Sequence, residues 1–191
     1  MNSTTINHKS IYYPPGGILM WIIIYLELIT FGIALIAMVY MGDSEPEVFH
    51  NSKLLLNPTY GVINTVVLLT SGLFMALSTY EFKLNNNVKF KKYIGLTILF
   101  GLLFLIVKSI EYYAKINAGL YLGYNTFFNF YWLLTLFHVV HVIVGIVMLS
   151  TLYFKRKTKK LELVDVEASA AFWHMCDLIW LLLFPIIYLI F

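Results

Sequence analysis

Apolar residues along this chain fall into five long blocks, at about 16–41, 60–80, 92–114, 126–154 and 170–191, separated by short polar connections. A helix needs about 20 mostly apolar residues to cross a bilayer, and each block supplies that length. The pattern predicts an all-α membrane protein: a five-transmembrane-helix bundle formed as a single domain over 16–191, behind a polar segment at 1–15. A membrane β-barrel would show alternation over about 10 residues instead, and is excluded. The fourth block is the longest, which predicts a helix that tilts or runs on beyond the hydrocarbon. Breakers mark the connections: Gly42, Asp43, Pro46, Asn57 and Pro58 in the first, Asn85, Asn86 and Asn87 in the second. Residues 1–13 lack the basic and apolar regions of a cleavable signal, and Tyr12, Tyr13, Pro14 and Pro15 read as an interfacial stop.

Composition sharpens this picture. Hydrophobic residues make up 60% of the 191 and charged residues 12%, against roughly 45–50% and 25% in soluble domains. A mean hydropathy of +0.80 fits a chain solvated by lipid. The net charge of +3 is too small to indicate nucleic acid, but its placement is informative. Ten of the 13 basic residues fall on one side: Lys9; Lys83, Lys89, Lys91 and Lys92; and Lys155, Arg156, Lys157, Lys159 and Lys160. Lys53 and Lys115 fall on the other side, and Lys108 lies inside the third block. The positive-inside rule then predicts a cytoplasmic N-terminus and an external Phe191. The single cysteine, Cys176, excludes an intramolecular disulfide and any zinc or iron–sulfur site built from cysteines.

Ionisable side chains at membrane depth are costly, so each calls for a reason. Glu27 lies about 11 residues into the first block, near mid-bilayer at a rise of about 1.5 Å per residue. His138 and His141 share one face of the fourth block with Tyr131, Thr135 and Gly145, and His141 falls at the depth of Glu27. His174 and Asp177 are placed nearer the cytoplasmic side of the fifth block, and Lys108 and Glu111 close to the outer interface, with Glu111 as an outer-interface acid. Three histidines and three acids are enough donors for a metal, as in bundle proteins that hold haem or two irons. The spacing opposes it, because no Glu-x-x-His pair occurs within the blocks. The groups read instead as interhelical hydrogen bonds, an intramembrane polar network of Glu27, His138, His141, His174 and Asp177. Glu27 has no opposite charge on its own block, so it is expected either to hold a proton or to pair with a histidine. Asn64, Ser71, Gly72 and Ala76, like Gly145, read as helix-packing positions. The tyrosines Tyr112, Tyr113, Tyr121 and Tyr124 read as interfacial anchors. No activated nucleophile, phosphate-binding glycine loop or zinc-protease signature is present.

The stretch MWIIIYLELITFG, with Glu27, resembles a tryptophan-led helix carrying a mid-membrane acid followed by an aromatic and glycine. NTVVLLTSGLFMAL, from Asn64, resembles an Asn–Thr–aliphatic run ending in Ser-x-x-x-Met-Ala. Glu111-Tyr112-Tyr113, Gly119, Tyr121, Phe127 and Phe128 lead into FHVVHVIVG, which resembles Phe-His-x-x-His-x-x-x-Gly, and FWHMCDLIWLLLFPIIYL resembles Trp-His-x-x-Asp-x-x-Trp. In this order, from Gly16 to Phe191, the chain resembles subunit III of the haem–copper oxidases.

The resemblance implies a five-helix accessory subunit with no catalytic residue, cofactor or metal of its own. It would stabilise subunit I of a respiratory terminal oxidase of the cytochrome c oxidase type, in the bacterial inner membrane. The haems, and copper in an oxidase, belong to that partner; phospholipids are the other expected contact. It also implies, for Glu27, the family's role in proton uptake during aerobic electron transport. Longer members carry two further N-terminal helices, which this sequence lacks, with a lipid-filled cleft between their two bundles. A short branch accompanies nitric oxide reductases in denitrification, and Leu26-Glu27-Leu28 through Phe31-Gly32 resembles it. Set against these is an independent membrane carrier or proton-conducting protein using Glu27 and the histidines.

Overall fold

A computed structural model describes residues 14–155 and 161–191, without the side chain of Lys155. Lys9, Tyr12, Tyr13 and the basic run 156–160 therefore lie outside the described residues. The elements are α1 (Ile18–Ser44), α2 (Pro46–Leu54), α3 (Pro58–Lys83), α4 (Asn87–Asn117), α5 (Thr126–Lys155) and α6 (Leu163–Pro185), which ends in a π-helical turn at Ile186–Ile190. No strand occurs among the described residues. Five helices are long and apolar enough to cross a membrane: α1, α3, α4, α5, and α6 with its π turn. The protein is an all-α membrane bundle.

The polar connections supply the helix ends. Asn57 caps α3 by accepting from the Thr59 amide at 3.0 Å, with Pro58 at the first position, where its missing N–H costs nothing. In the asparagine triplet, Asn85 takes a left-handed backbone (φ 59°) and Asn86 caps α4. Helices outrun the apolar blocks where polar residues continue the turn. The N-terminus of α4 is Asn87, five residues before the block, and α6 starts at Leu163 because Val166 and Ser169 already pack inward. Apolarity marks where hydrocarbon begins; hydrogen bonding decides where the helix does. The short α2 falls where a loop was expected. Pro46 starts it, and Phe49 and Ser52 bury its inner face.

The chain folds as an antiparallel α3–α4 pair, with α6 lying against α3, α5 and α1. Half of the α6 span is buried, against 22% for α1, so α6 is the centre and α1 the periphery. Two tryptophans on α6 fix it. The Trp180 indole N–H donates to Thr65 Oγ1 at 3.0 Å. The Trp173 N–H donates to Ser71 Oγ at 3.2 Å, and Ser71 passes its own proton to the Thr97 carbonyl at 2.9 Å. The Trp173 ring lies across Gly101 of α4 and Gly145 of α5; a Cβ at either glycine would come within 2.7 Å of it. Gly145, expected as a packing position, forms part of the seat of Trp173.

Pro185 has no N–H to give the helix ladder, and the chain continues as a π turn. The α2 end of the bundle holds that turn. Lys53 Nζ donates to the Leu189 carbonyl at 3.0 Å, and Phe191 meets Phe49 at a ring separation of 4.9 Å.

The seat makes a prediction. Gly145→Val should push Trp173 out of place at a cost of about 1–3 kcal/mol, lowering the Tm in detergent by about 2–4 °C per kcal/mol. Circular dichroism during heating reads it; an unchanged Tm contradicts the seat.

Candidate functional site

Lys108 and Glu111 are one turn apart on α4 and both point into the bundle, with 1% and 0% of their side chains exposed. Lys108 Nζ donates to Glu111 Oε2 at 2.9 Å. The second carboxylate oxygen, Oε1, accepts from the hydroxyls of Tyr131 at 2.9 Å and Tyr188 at 2.6 Å. Lys108 also donates to Tyr188 Oη at 3.0 Å, and its ammonium lies 5.0–5.6 Å from the ring centres of Tyr112, Tyr131, Trp180 and Tyr188. Cation–π contact of this kind gains strength once water is excluded. The pair is enclosed, because Tyr131 of α5 and Trp180 and Tyr188 of α6 and its π turn close over that face of α4. Tyr112, expected as an anchor, turns inward against Trp132 at 4.8 Å, while Tyr113, Tyr121 and Tyr124 are exposed. Tyr188 escaped sequence reasoning, since only the π turn brings it to Glu111.

On the other side of the bundle, α1 meets α5. Glu27 Oε2 lies 3.1 Å from His141 Nε2, an ion-pair distance without hydrogen-bond alignment. His141 Nδ1 lies 2.8 Å from the Phe137 carbonyl. With Nδ1–H given to that carbonyl, Nε2 faces the carboxyl and the pair can hold one proton between them. A quarter of the Glu27 side chain remains exposed.

His138 does not join this pair. It is fully buried among Phe31, Phe104 and Trp180, and neither ring nitrogen has a hydrogen-bond partner among the described residues. Asn64 is likewise buried with its amide unpartnered. His174 Nδ1 and Asp177 Oδ2 are 3.3 Å apart. Gly72 makes room for it, since a Cβ there would strike the Asp177 carboxylate. Ser71 packs inside, whereas Ala76 is exposed on a groove.

Among the described residues the polar groups are thus five separate sets rather than one network: Lys108–Glu111 with its tyrosines, Glu27–His141, His138, Asn64 and His174–Asp177. Among the described residues, no three His, Cys, Asp or Glu side chains come together in a way that could hold a metal. The one Glu-x-x-His spacing, Glu47 to His50, is on α2, outside the spans.

The family model for cytochrome c oxidase subunit III matches residues 17–190, which covers all five spans. The chain belongs to the cytochrome c oxidase subunit III family. It is 35% identical over 135 residues to a probable cytochrome c oxidase subunit 3 of Rickettsia conorii, covering 66% of this chain and 46% of that one. It is 30% identical over 132 residues to the cytochrome c oxidase subunit 3 of a Synechocystis species, covering 67% and 55%. Along nearly full length, 99% of this chain and 93% of the other, it is 25% identical to the cytochrome bo(3) ubiquinol oxidase subunit 3 of Buchnera aphidicola. This member spans about half the length of the first two relatives.

The buried ion pair yields a double-mutant prediction. Lys108→Met and Glu111→Gln should each destabilise the bundle by about 3–5 kcal/mol, because each leaves its partner buried without its counter-charge. The double variant should lose clearly less than the sum of the two. Unfolding in a fixed detergent measures this, and simple additivity contradicts the pairing.

Proposed function

We propose that this chain is a non-catalytic accessory subunit III of a haem–copper respiratory terminal oxidase, stabilising the catalytic subunit and supporting its proton uptake. The observation that carries this is the family match across all five spans. The polar chemistry supports it. Lys108, Glu111, Tyr131 and Tyr188 satisfy one another inside the bundle, and Trp173 and Trp180 bond to α3, so these groups act as ties between helices. Glu27 differs: a partly exposed carboxyl beside an imidazole at membrane depth is suited to exchange a proton with a partner or with water.

In this reading the haems, and the copper of an oxidase, reside in the catalytic subunit, and this chain carries no cofactor. The protein sits in a bacterial inner membrane among phospholipids. Residues 1–15 lead from the cytoplasm into the single bundle, and α2 with Phe191 lies on the outer face. Glu27 and His141 form the protonic pair; His138 and Asn64 serve the interior.

Tagged chain taken from its native membrane in mild detergent should bring down a haem-absorbing partner. That partner's reaction with oxygen or with nitric oxide tells an oxidase from a nitric oxide reductase. Glu27→Gln keeps shape and hydrogen bonding but removes the ionisable proton; haem yield should hold while sustained turnover falls or its pH profile moves. Unchanged turnover across pH makes Glu27 structural. A chain that purifies without haem protein and alone conducts protons in liposomes overturns the accessory reading.

A further inference from the structure

We propose that His141 is the positioning residue for Glu27: it fixes the inner carboxyl oxygen, Oε2, so that Glu27 loads and releases a proton only at its outer oxygen, Oε1. The proposal rests on the protonic reading of Glu27 and gives that exchange a direction, across the surface of α1 and α5 instead of through the bundle.

The backbone sets the tautomer. His141 Nδ1 lies 2.8 Å from the Phe137 carbonyl, one turn back on α5. A carbonyl oxygen only accepts, so Nδ1 carries the hydrogen and the neutral ring has a bare Nε2. That nitrogen is 3.1 Å from Glu27 Oε2. An ionised carboxylate and a bare nitrogen would set lone pair against lone pair at that distance, so one proton is held between them. With it the pair is neutral overall, as a membrane span favours. Three rings hold the imidazole in this orientation: Phe137 at 4.6 Å between ring centres, Phe31 at 5.6 Å and Phe172 at 6.4 Å.

The inner side is closed. Oε2 is enclosed, so the quarter of the Glu27 side chain that stays exposed opens at Oε1. Behind His141 the Phe137 carbonyl ends the line, because a backbone carbonyl accepts a hydrogen bond but passes no proton on. His138, also one turn back on α5, has no hydrogen-bond partner at either ring nitrogen among the described residues. Cys176 of α6 is a further titratable group near the pair. His174 and Asp177 of α6 turn toward Gly72 of α3 instead, and Lys108 of α4 is held by Glu111. A proton therefore reaches Oε1 from outside the chain and leaves from the same oxygen, while the one shared with Nε2 stays.

The test is turnover against pH in the haem complex recovered with the full-length chain. His141→Leu should move the midpoint of that profile by about 1 pH unit or more, since it removes the group facing the carboxyl. Glu27→Gln should move it too. The double variant should coincide with Glu27→Gln, because His141 acts only through that carboxyl. His141→Gln keeps a polar group in place but carries no titrating proton; it should also move the profile, and stands in if the leucine costs assembly. His138→Leu should leave the profile where it is. An unmoved profile in the His141 variants, or a double variant that adds the two single shifts, overturns the positioning role. A profile displaced by His138→Leu as far as by His141→Leu overturns the closed inner side. If Glu27→Gln moves the profile and the His141 variants do not, the positioning role alone fails. If Glu27→Gln changes nothing, the protonic reading fails and this proposal with it.

Discussion

The bundle depends on one buried ion pair. Between helices in a bilayer the hydrophobic effect offers little, because lipid tails are as apolar as leucine; small residues and polar contacts must supply cohesion. Lys108 and Glu111 would be intolerable there singly. Together, with two tyrosine hydroxyls on Glu111 Oε1 and four aromatic rings around the ammonium, they become a junction where α4, α5 and the π turn after α6 meet. Desolvating two charges is offset only when every remaining lone pair and proton finds a partner, and here the carboxylate has three donors. The π turn follows from that demand and from Pro185 together: it carries Tyr188 to Glu111 and brings Phe191 onto Phe49.

The rest of the interior is arranged around this junction. Trp180 links it to α3 through Thr65, and also lies 5.4 Å from the ring of His138. Trp173, two turns earlier on α6, bonds to Ser71 and occupies the space left by Gly101 and Gly145. Polar groups therefore sort into two kinds. Those consumed inside tie helices together; Glu27 on one side of the bundle and His174 on another keep part of their side chains exposed.

How much of this the sequence announces follows from which interactions are local. The five spans are written as runs of apolar residues, and the capping asparagines and prolines mark their ends, so number and approximate position could be read directly. The Glu27–histidine contact could be read from matched depth, although depth alone did not choose His141 over His138; rotation about α5 does, bringing His141 to Glu27 and His138 in among Phe31, Phe104 and Trp180. The i, i+3 spacing of Lys108 and Glu111 was visible, but not that α5 and α6 would cover them. Tyr188 and α2 were out of reach for the same reason: one depends on a change of helix type at Pro185, the other on a nine-residue helix whose stability comes from burying Phe49 and Ser52.

The central claim is that this chain supports redox chemistry without containing it. The direct measurement is the iron and mass balance of the intact complex as it is taken apart. Native mass spectrometry of the detergent-solubilised particle should show the 22.1 kDa chain leaving free of iron, with all haem retained by the larger remainder. Haem or stoichiometric iron travelling with the 22.1 kDa chain would contradict the account.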